Sequence, residues 1–235
     1  RKSGRQFRTP APYNGGGGFV LQDAQSFGTR AVMTVAVKPE FLKDQPALRK
    51  VGNDVRARLS TNANVWKVPT EAAEVFAVAD FMSAEECARM IAMIDEVARP
   101  STVFDLQYKD GYRTSYSGDV DPHNPFVKML DRRIDDLMGI EPSFGETIQG
   151  QRYMPGQEFK PHHDWFHPNT SYWEIETARG GQRAWTAMVY LNHVDEGGTT
   201  DFTDLGMAIE PKAGVLLLWN NTDTDGLPNP ATIHA

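Results

Sequence analysis

Cysteine is nearly missing from this sequence. Cys87 is the only one in 235 residues, so no intrachain disulfide can staple the fold. Its place on the apolar side of a helical pattern suits a small core residue better than a nucleophile. That scarcity favours a reducing, cytoplasmic setting. No run of about 18 apolar residues occurs, which argues against a membrane-spanning helix. Positive charge is not in excess either: 31 acidic against 24 basic residues give a formal charge of -7. A global attraction to nucleic acid or to an anionic membrane is therefore not expected. The four glycines of "NGGGGF" at 14–19 lack the Lys-Ser/Thr that a phosphate-binding loop needs after them. No internal repeat is present, which argues against solenoids and propellers. The oligomeric state leaves no trace in the sequence.

What is present suits one main domain with an appendage: 40% of the residues are hydrophobic, enough for one sizeable core. The chain begins at Arg1 rather than methionine, so a preceding segment, targeting peptide included, stays open. Residues 1–69 read as an N-terminal extension. A flexible arm rich in Gly, Pro and basic residues is followed by the strand pattern "AVMTVAVKP". A helix near 45–59 then carries Leu48, Val51, Val55 and Leu59 on one stripe, with its basic residues on a solvated face.

From about residue 70 to 235 the pattern is that of a second region. "EVFAVADFM" is an apolar strand, and Ser83 with Glu86 forms a capping box opening a helix. The stripe of Phe126, Leu130, Ile134 and Leu137 predicts a second helix over 124–138, stopped by Gly139. Beyond it no strong helix signal remains. The runs "TIQGQRYM", "EFKPHHDWF", "AWTAMVYLN", "TTDF", "MAIEP" and "GVLLLWN" read as short strands between turn clusters. The class expected is α+β, mainly β: a sandwich or barrel buttressed by helices.

Histidine is also scarce, six in all, and two of them stand together in "EFKPHHDWF" at 158–166. If that run is extended, His162 and Asp164 point one way and His163 the other. An imidazole and a carboxylate then meet at one point. Two imidazoles and one carboxylate on one face of an octahedron form the facial set of non-haem Fe(II) oxygenases. A third ligand is needed. His123, His167 and His193 sit in polar loops, whereas His234 follows the strand "GVLLLWN" and a Gly/Pro/Asn loop and could return to the same point. Taken by itself a His-x-Asp triplet is weak evidence, since exposed strands carry such triplets by chance.

From about residue 75 onward the sequence resembles the prolyl 4-hydroxylase family of Fe(II)- and 2-oxoglutarate-dependent dioxygenases. The carrying stretches are "RTSYSG" (113–118), "GETIQGQRYMPGQEFKPHHDWF" (145–166), "GGQRAWTAMVYLNHVDEGGTTDF" (180–202), and "PKAGVLLLWNN" leading to "IHA". The resemblance implies a double-stranded β-helix (jelly roll) core, with His162, Asp164 and His234 as metal and catalytic ligands. It implies Tyr153 and Thr186 on the 2-oxoglutarate, and Arg113 and Glu146 on the peptide side of the site. Fe(II), 2-oxoglutarate, O2 and ascorbate would be the cofactors, and a proline-containing peptide or protein the substrate. The long polar segment "HPNTSYWEIETARGGQ" and the 110–125 region are expected to close over that peptide, with Tyr172 or Trp173 stacking on a proline ring.

The sequence departs from the family at its end. In relatives a Gly-x-Lys follows the distal histidine and its ammonium pairs with the far carboxylate of 2-oxoglutarate; here the chain ends at Ala235. The expectation is that the natural protein continues. Two alternatives stand beside proline hydroxylation: the same chemistry on a free amino acid, another side chain or a small metabolite, and a non-catalytic peptide-binding β-barrel.

Overall fold

The computed structural model describes residues 44–102, 111–167 and 170–235. The expected N-terminal arm and the "AVMTVAVKP" strand lie outside the described residues. Among those described, no helix is long and apolar enough to cross a membrane.

Helix α1 spans Gln45–Thr61, with Leu48, Val55 and Leu59 buried as their spacing requires. Two short strands follow, β1 (Val65–Lys67) and β2 (Val75–Val78). Helix α2 (Ala84–Val97) opens on the predicted capping box: the Ser83 hydroxyl accepts from the Glu86 amide while the Glu86 carboxylate accepts from the Ser83 amide. The short strands β3 (Arg99–Pro100) and β4 (Tyr116–Asp119) precede α3, Pro125–Met138. Asn124 caps α3 at its start, and Gly139 in the left-handed conformation (φ 71°) stops it. The strands β5 (Gln149–Arg152), β6 (Trp185–Val189), β7 (Thr200–Phe202), β8 (Met207–Ile209) and β9 (Leu216–Asn220) complete the order, with a short helix α4 (Trp173–Arg179) between β5 and β6.

A four-stranded antiparallel sheet, in the order β1-β2-β9-β6, organises the molecule. Its two central strands are buried on both faces, so they read as continuous apolar runs rather than alternating ones. Phe76, Val78, Leu216 and Leu218 face the helices and pack with Val55, Leu59, Met90, Ile94 and Leu130. Val75, Ala77, Leu217 and Trp219 face the other way, toward Tyr190, Phe202, Met207 and Ile209. Cys87 lies in the helix-side core, as its spacing implied, and burial pushes its thiol up.

A three-stranded sheet, β3-β4-β5, carries α2 on its face. Gly118 and Gly150 stand opposite each other in this ladder. A Cβ on Gly150 would lie 2.2 Å from the Ile94 side chain, and one on Gly118 2.7 Å from the Val97 carbonyl oxygen. Only the missing side chains let the helix lie against the sheet backbone.

Three expectations need correction. "EFKPHHDWF" is not a regular strand. It makes two isolated bridges, Arg113↔Phe159 and His162↔His234, because Pro161 lacks the amide a ladder would use. The polar segment after it contains a helix, α4, whose residues are not fully buried and so leave little apolar periodicity to read. Within the 110–125 region, residues 116–119 form β4, paired on both sides, so that part is sheet rather than a closing loop.

Candidate metal centre and its surroundings

His162, Asp164 and His234 converge: one ligand atom from each lies within 4.8 Å of the others. The backbone brings them together without a long strand. His162 and His234 exchange both main-chain hydrogen bonds, each 2.9 Å, and the other edge of the His234 segment bridges Phe202, with Asp201 and Ala235 exchanging bonds of 3.0 Å. Three chain segments thus lie side by side, so that His162 and His234, far apart in sequence, are neighbours in space.

Both imidazoles are held in a defined tautomer. Nδ1 of His162 lies 2.9 Å from the Lys160 carbonyl oxygen, and Nδ1 of His234 lies 2.9 Å from that of Thr232. A carbonyl can only accept, so each Nδ1 donates, and Nε2 is the nitrogen left to face a metal. Those Nε2 atoms face the Asp164 carboxylate, His162 Nε2 3.7 Å from Oδ1 and His234 Nε2 3.8 Å from Oδ2. With both nitrogens unprotonated, lone pairs would face a carboxylate across those gaps, which is favourable only with a cation among them. The donor set fits a divalent metal with open positions, and contains no thiolate of the kind a structural zinc site uses. Without a metal, burial raises the Asp164 carboxyl, but His234 and His162 in their protonated form, then Arg183 and the Thr186 hydroxyl, hold it well below the usual carboxylate range.

Aromatic rings hold the ligands in place. Phe159 stacks on His162 with centroids 3.5 Å apart and planes 15° apart. The Arg113 guanidinium lies over the same Phe159 ring, 4.7 Å from its centroid. Trp219 meets His234 edge-on at 4.9 Å, with Phe202 at 5.9 Å. His163 turns away from the metal ligands, as alternation predicts, and its Nε2 lies 3.0 Å from the Thr232 hydroxyl. Since that hydroxyl donates to the Asn229 carbonyl, His163 is the donor. It ties the proximal ligand arm to the segment carrying His234.

The other predicted residues are placed as follows. Thr186 lies on β6 with its hydroxyl 2.8 Å from Asp164 Oδ2. Tyr153, just beyond β5, donates to Gln151 Oε1 at 3.0 Å. Arg113 reaches the site through Phe159. Glu146 grips Arg183 with both carboxylate oxygens, at 2.5 and 2.6 Å, and Arg183 stacks 4.2 Å over Phe166. Burial opposes the Arg183 charge, but the Glu146 hydrogen bond together with the negative charges of Glu146, Asp164 and Glu176 outweighs it and raises the guanidinium. Tyr172 packs against the Phe166 ring at 5.8 Å, and Trp173 opens α4. Sequence reasoning missed Phe159, Arg183, Asn221 and the His163–Thr232 clamp. The first three lay inside stretches already singled out. Thr200 and Tyr190 were missed too: their hydroxyls bond each other inside the barrel, both side chains fully buried beside Phe202 and Trp219.

Residues 148–235 match the family model of the 2OG-Fe(II) oxygenase superfamily. Prolyl 4-hydroxylase 1 of Arabidopsis thaliana is 30% identical over 237 residues, covering 92% of this chain and 82% of that protein. The human prolyl 4-hydroxylase subunit alpha-1 is 32% identical over 114 residues, 48% of this chain and 21% of that one. Among solved structures, a viral collagen prolyl hydroxylase from Paramecium Bursaria Chlorella virus-1, in its 2OG complex, superposes with a TM-score of 0.51 at 23% identity, over 68% of this chain and 84% of that one. That last likeness is one of fold, and it supports the expected jelly-roll core buttressed by helices.

Proposed function

This chain belongs to the prolyl 4-hydroxylase family of 2OG-Fe(II) oxygenases, and from that premise we propose that it hydroxylates proline residues in a peptide or protein, decarboxylating 2-oxoglutarate to succinate as it does so. The observation that carries the reading is the pair of imidazoles whose Nδ1 atoms donate to carbonyls and whose Nε2 atoms aim at one half-buried carboxylate. Fe(II) and 2-oxoglutarate, when bound, supply the oxidative step: one atom of O2 enters the succinate carboxylate, the other the substrate C–H bond, and carbon dioxide leaves.

The protein's part is binding, orientation and exclusion of water. His162, Asp164 and His234 would hold the metal, and the Nδ1 bonds to Lys160 and Thr232 orient each ring so that Nε2 is the nitrogen offered to it. Phe159, Trp219 and Phe202 surround the two rings and keep bulk water from them. Tyr153 serves the cosubstrate. Arg183, bound to Glu146 on both oxygens, is occupied and does not act as a free anchor for a second carboxylate. Arg113, Glu146, Tyr172 and Trp173 line the approach of an extended, proline-containing segment, whose preformed shape suits a rim of aromatic rings.

The test is incubation of the protein with Fe(II), 2-oxoglutarate, ascorbate and a library of proline peptides, read by mass spectrometry for a gain of one oxygen on proline and by succinate release. Succinate formed with small metabolites but not with peptides would move the substrate to the second class. No succinate under any condition would leave a binding module.

A further inference from the structure

We propose that Asn221 and Thr186 form a hydrogen-bond relay that reserves Oδ2 of Asp164 and thereby leaves Oδ1 to the metal. The proposal rests on the metal-site reading above and assigns Thr186 a positioning role toward the carboxylate rather than contact with 2-oxoglutarate.

Asn221 Nδ2 lies 2.9 Å from the Thr186 hydroxyl oxygen, which lies 2.8 Å from Asp164 Oδ2. The direction follows from proton inventory. A threonine hydroxyl has one proton, and an ionised carboxylate can only accept, so the Thr186 proton goes to Asp164. The Thr186 oxygen must then accept from its other neighbour, and only the NH2 end of the Asn221 amide can donate. A flipped amide would place two acceptors together. The Asn221 side chain is fully buried, and its Oδ1 has no hydrogen-bond partner. An unsatisfied buried amide oxygen is costly, and here it accompanies the placing of the donor.

The relay has rigid supports. Thr186 sits inside β6, paired with Trp219 of β9. Asn221 is fixed by its own main chain, its amide donating to Ala184 and its carbonyl accepting from Asn229 at 2.8 and 3.0 Å. Asn229 leads into the segment carrying His234, so the same residue registers the carboxylate against the third ligand. A carboxylate whose second oxygen is engaged binds a metal through one oxygen and keeps open positions free; released, it could chelate through both.

The experiment is titration of the metal-free protein with Co(II), followed by visible absorption, alongside thermal unfolding without metal. Thr186→Val, nearly the same shape, is expected to weaken Co(II) binding by about 10- to 100-fold and to alter the ligand-field spectrum. Thr186→Ser keeps the hydroxyl and is expected to restore both. Asn221→Ala is expected to give the same spectral change with a smaller loss of affinity. Wild-type affinity and spectrum in Thr186→Val, or no rescue by serine, overturns the relay. If the valine protein does not fold, Asn221→Ala decides: an unaltered spectrum overturns the proposal. Failure of the wild-type protein to bind Co(II) at all would instead overturn the metal site itself.

Discussion

The two faces of the central sheet solve different problems with the same strands. On the helix side, Phe76, Val78, Leu216 and Leu218 meet an apolar layer drawn from three helices. On the barrel side, Val75, Leu217 and Trp219 meet a layer interrupted by buried polar groups: the Tyr190–Thr200 hydroxyl pair, His234, Asn221 and Thr232. The first arrangement is what burial alone favours, each large side chain contributing about 1.5–3 kcal/mol. The second keeps polar groups out of water, tolerable only where each finds a partner or a ligand. Stability is concentrated on one side of the sheet and chemistry on the other.

The sharpest way to break that comparison is to change one residue on each face. Replacing His234 by alanine on the barrel side is expected to abolish turnover and metal binding while costing the metal-free protein clearly less stability than a helix-side truncation: the cavity left beside Trp219 and Phe202 is offset by removal of a buried polar ring. Phe76→Ala on the helix side is expected to cost about 3–5 kcal/mol in denaturant unfolding, with the metal affinity of the remaining folded protein unchanged. If His234→Ala destabilised the metal-free protein as much as Phe76→Ala, the division of labour would be wrong.

The legibility of the sequence divides along the same line. Helices α1, α2 and α3 were readable because their signals are local: an apolar stripe at helical spacing, the Ser83–Glu86 box, Gly139 as a stop. Six strand runs were readable for the same reason. β1, β3 and β4 were not: two to four residues long, with "YSGD" mostly polar, they exist through their neighbours. At the site, His162 and Asp164 were suggested by alternation, although the run containing them is not a strand. His234 stood out only as a histidine after a strand that could return to the same point, and the family resemblance was needed to assign it, because nothing local marks so distant a partner. The supports at Phe159, Arg183 and Asn221 depend on distances between segments, which no periodicity encodes.

A smaller effect sharpens the account of the helix side. α2 touches the backbone of β4 and β5 because positions 118 and 150 carry no side chain. Gly150→Ala would force its methyl into Ile94, and overpacking of this kind costs about 1–3 kcal/mol. Ile94→Val in the same chain removes part of the obstruction and is expected to recover part of that loss, so the double variant should be more stable than the sum of the two singles. Strict additivity would mean that the helix relaxes away from the sheet instead.

The smallest effect is electrostatic and lies at the start of α2, where Glu86 both caps the helix and receives Arg133 at 2.6 and 2.9 Å. The Arg133 hydrogen bonds hold the Glu86 carboxyl below its ordinary value. A carboxyl depressed on folding contributes stability that is fully present above its unfolded value, about 4.3, and is lost as pH falls through the lower folded value. Glu86→Gln keeps the reciprocal cap, since glutamine serves at that position, and removes only the charge. The pair is partly open to solvent, with 36% of the Arg133 and 22% of the Glu86 side chain exposed, so the expected loss at neutral pH is about 1 kcal/mol or less. The variant and the parent should converge in stability on acidification below the unfolded value, and the difference at neutral pH should shrink in high salt. A difference that persisted undiminished at acid pH would mean that the substitution acts through the cap rather than through the charge.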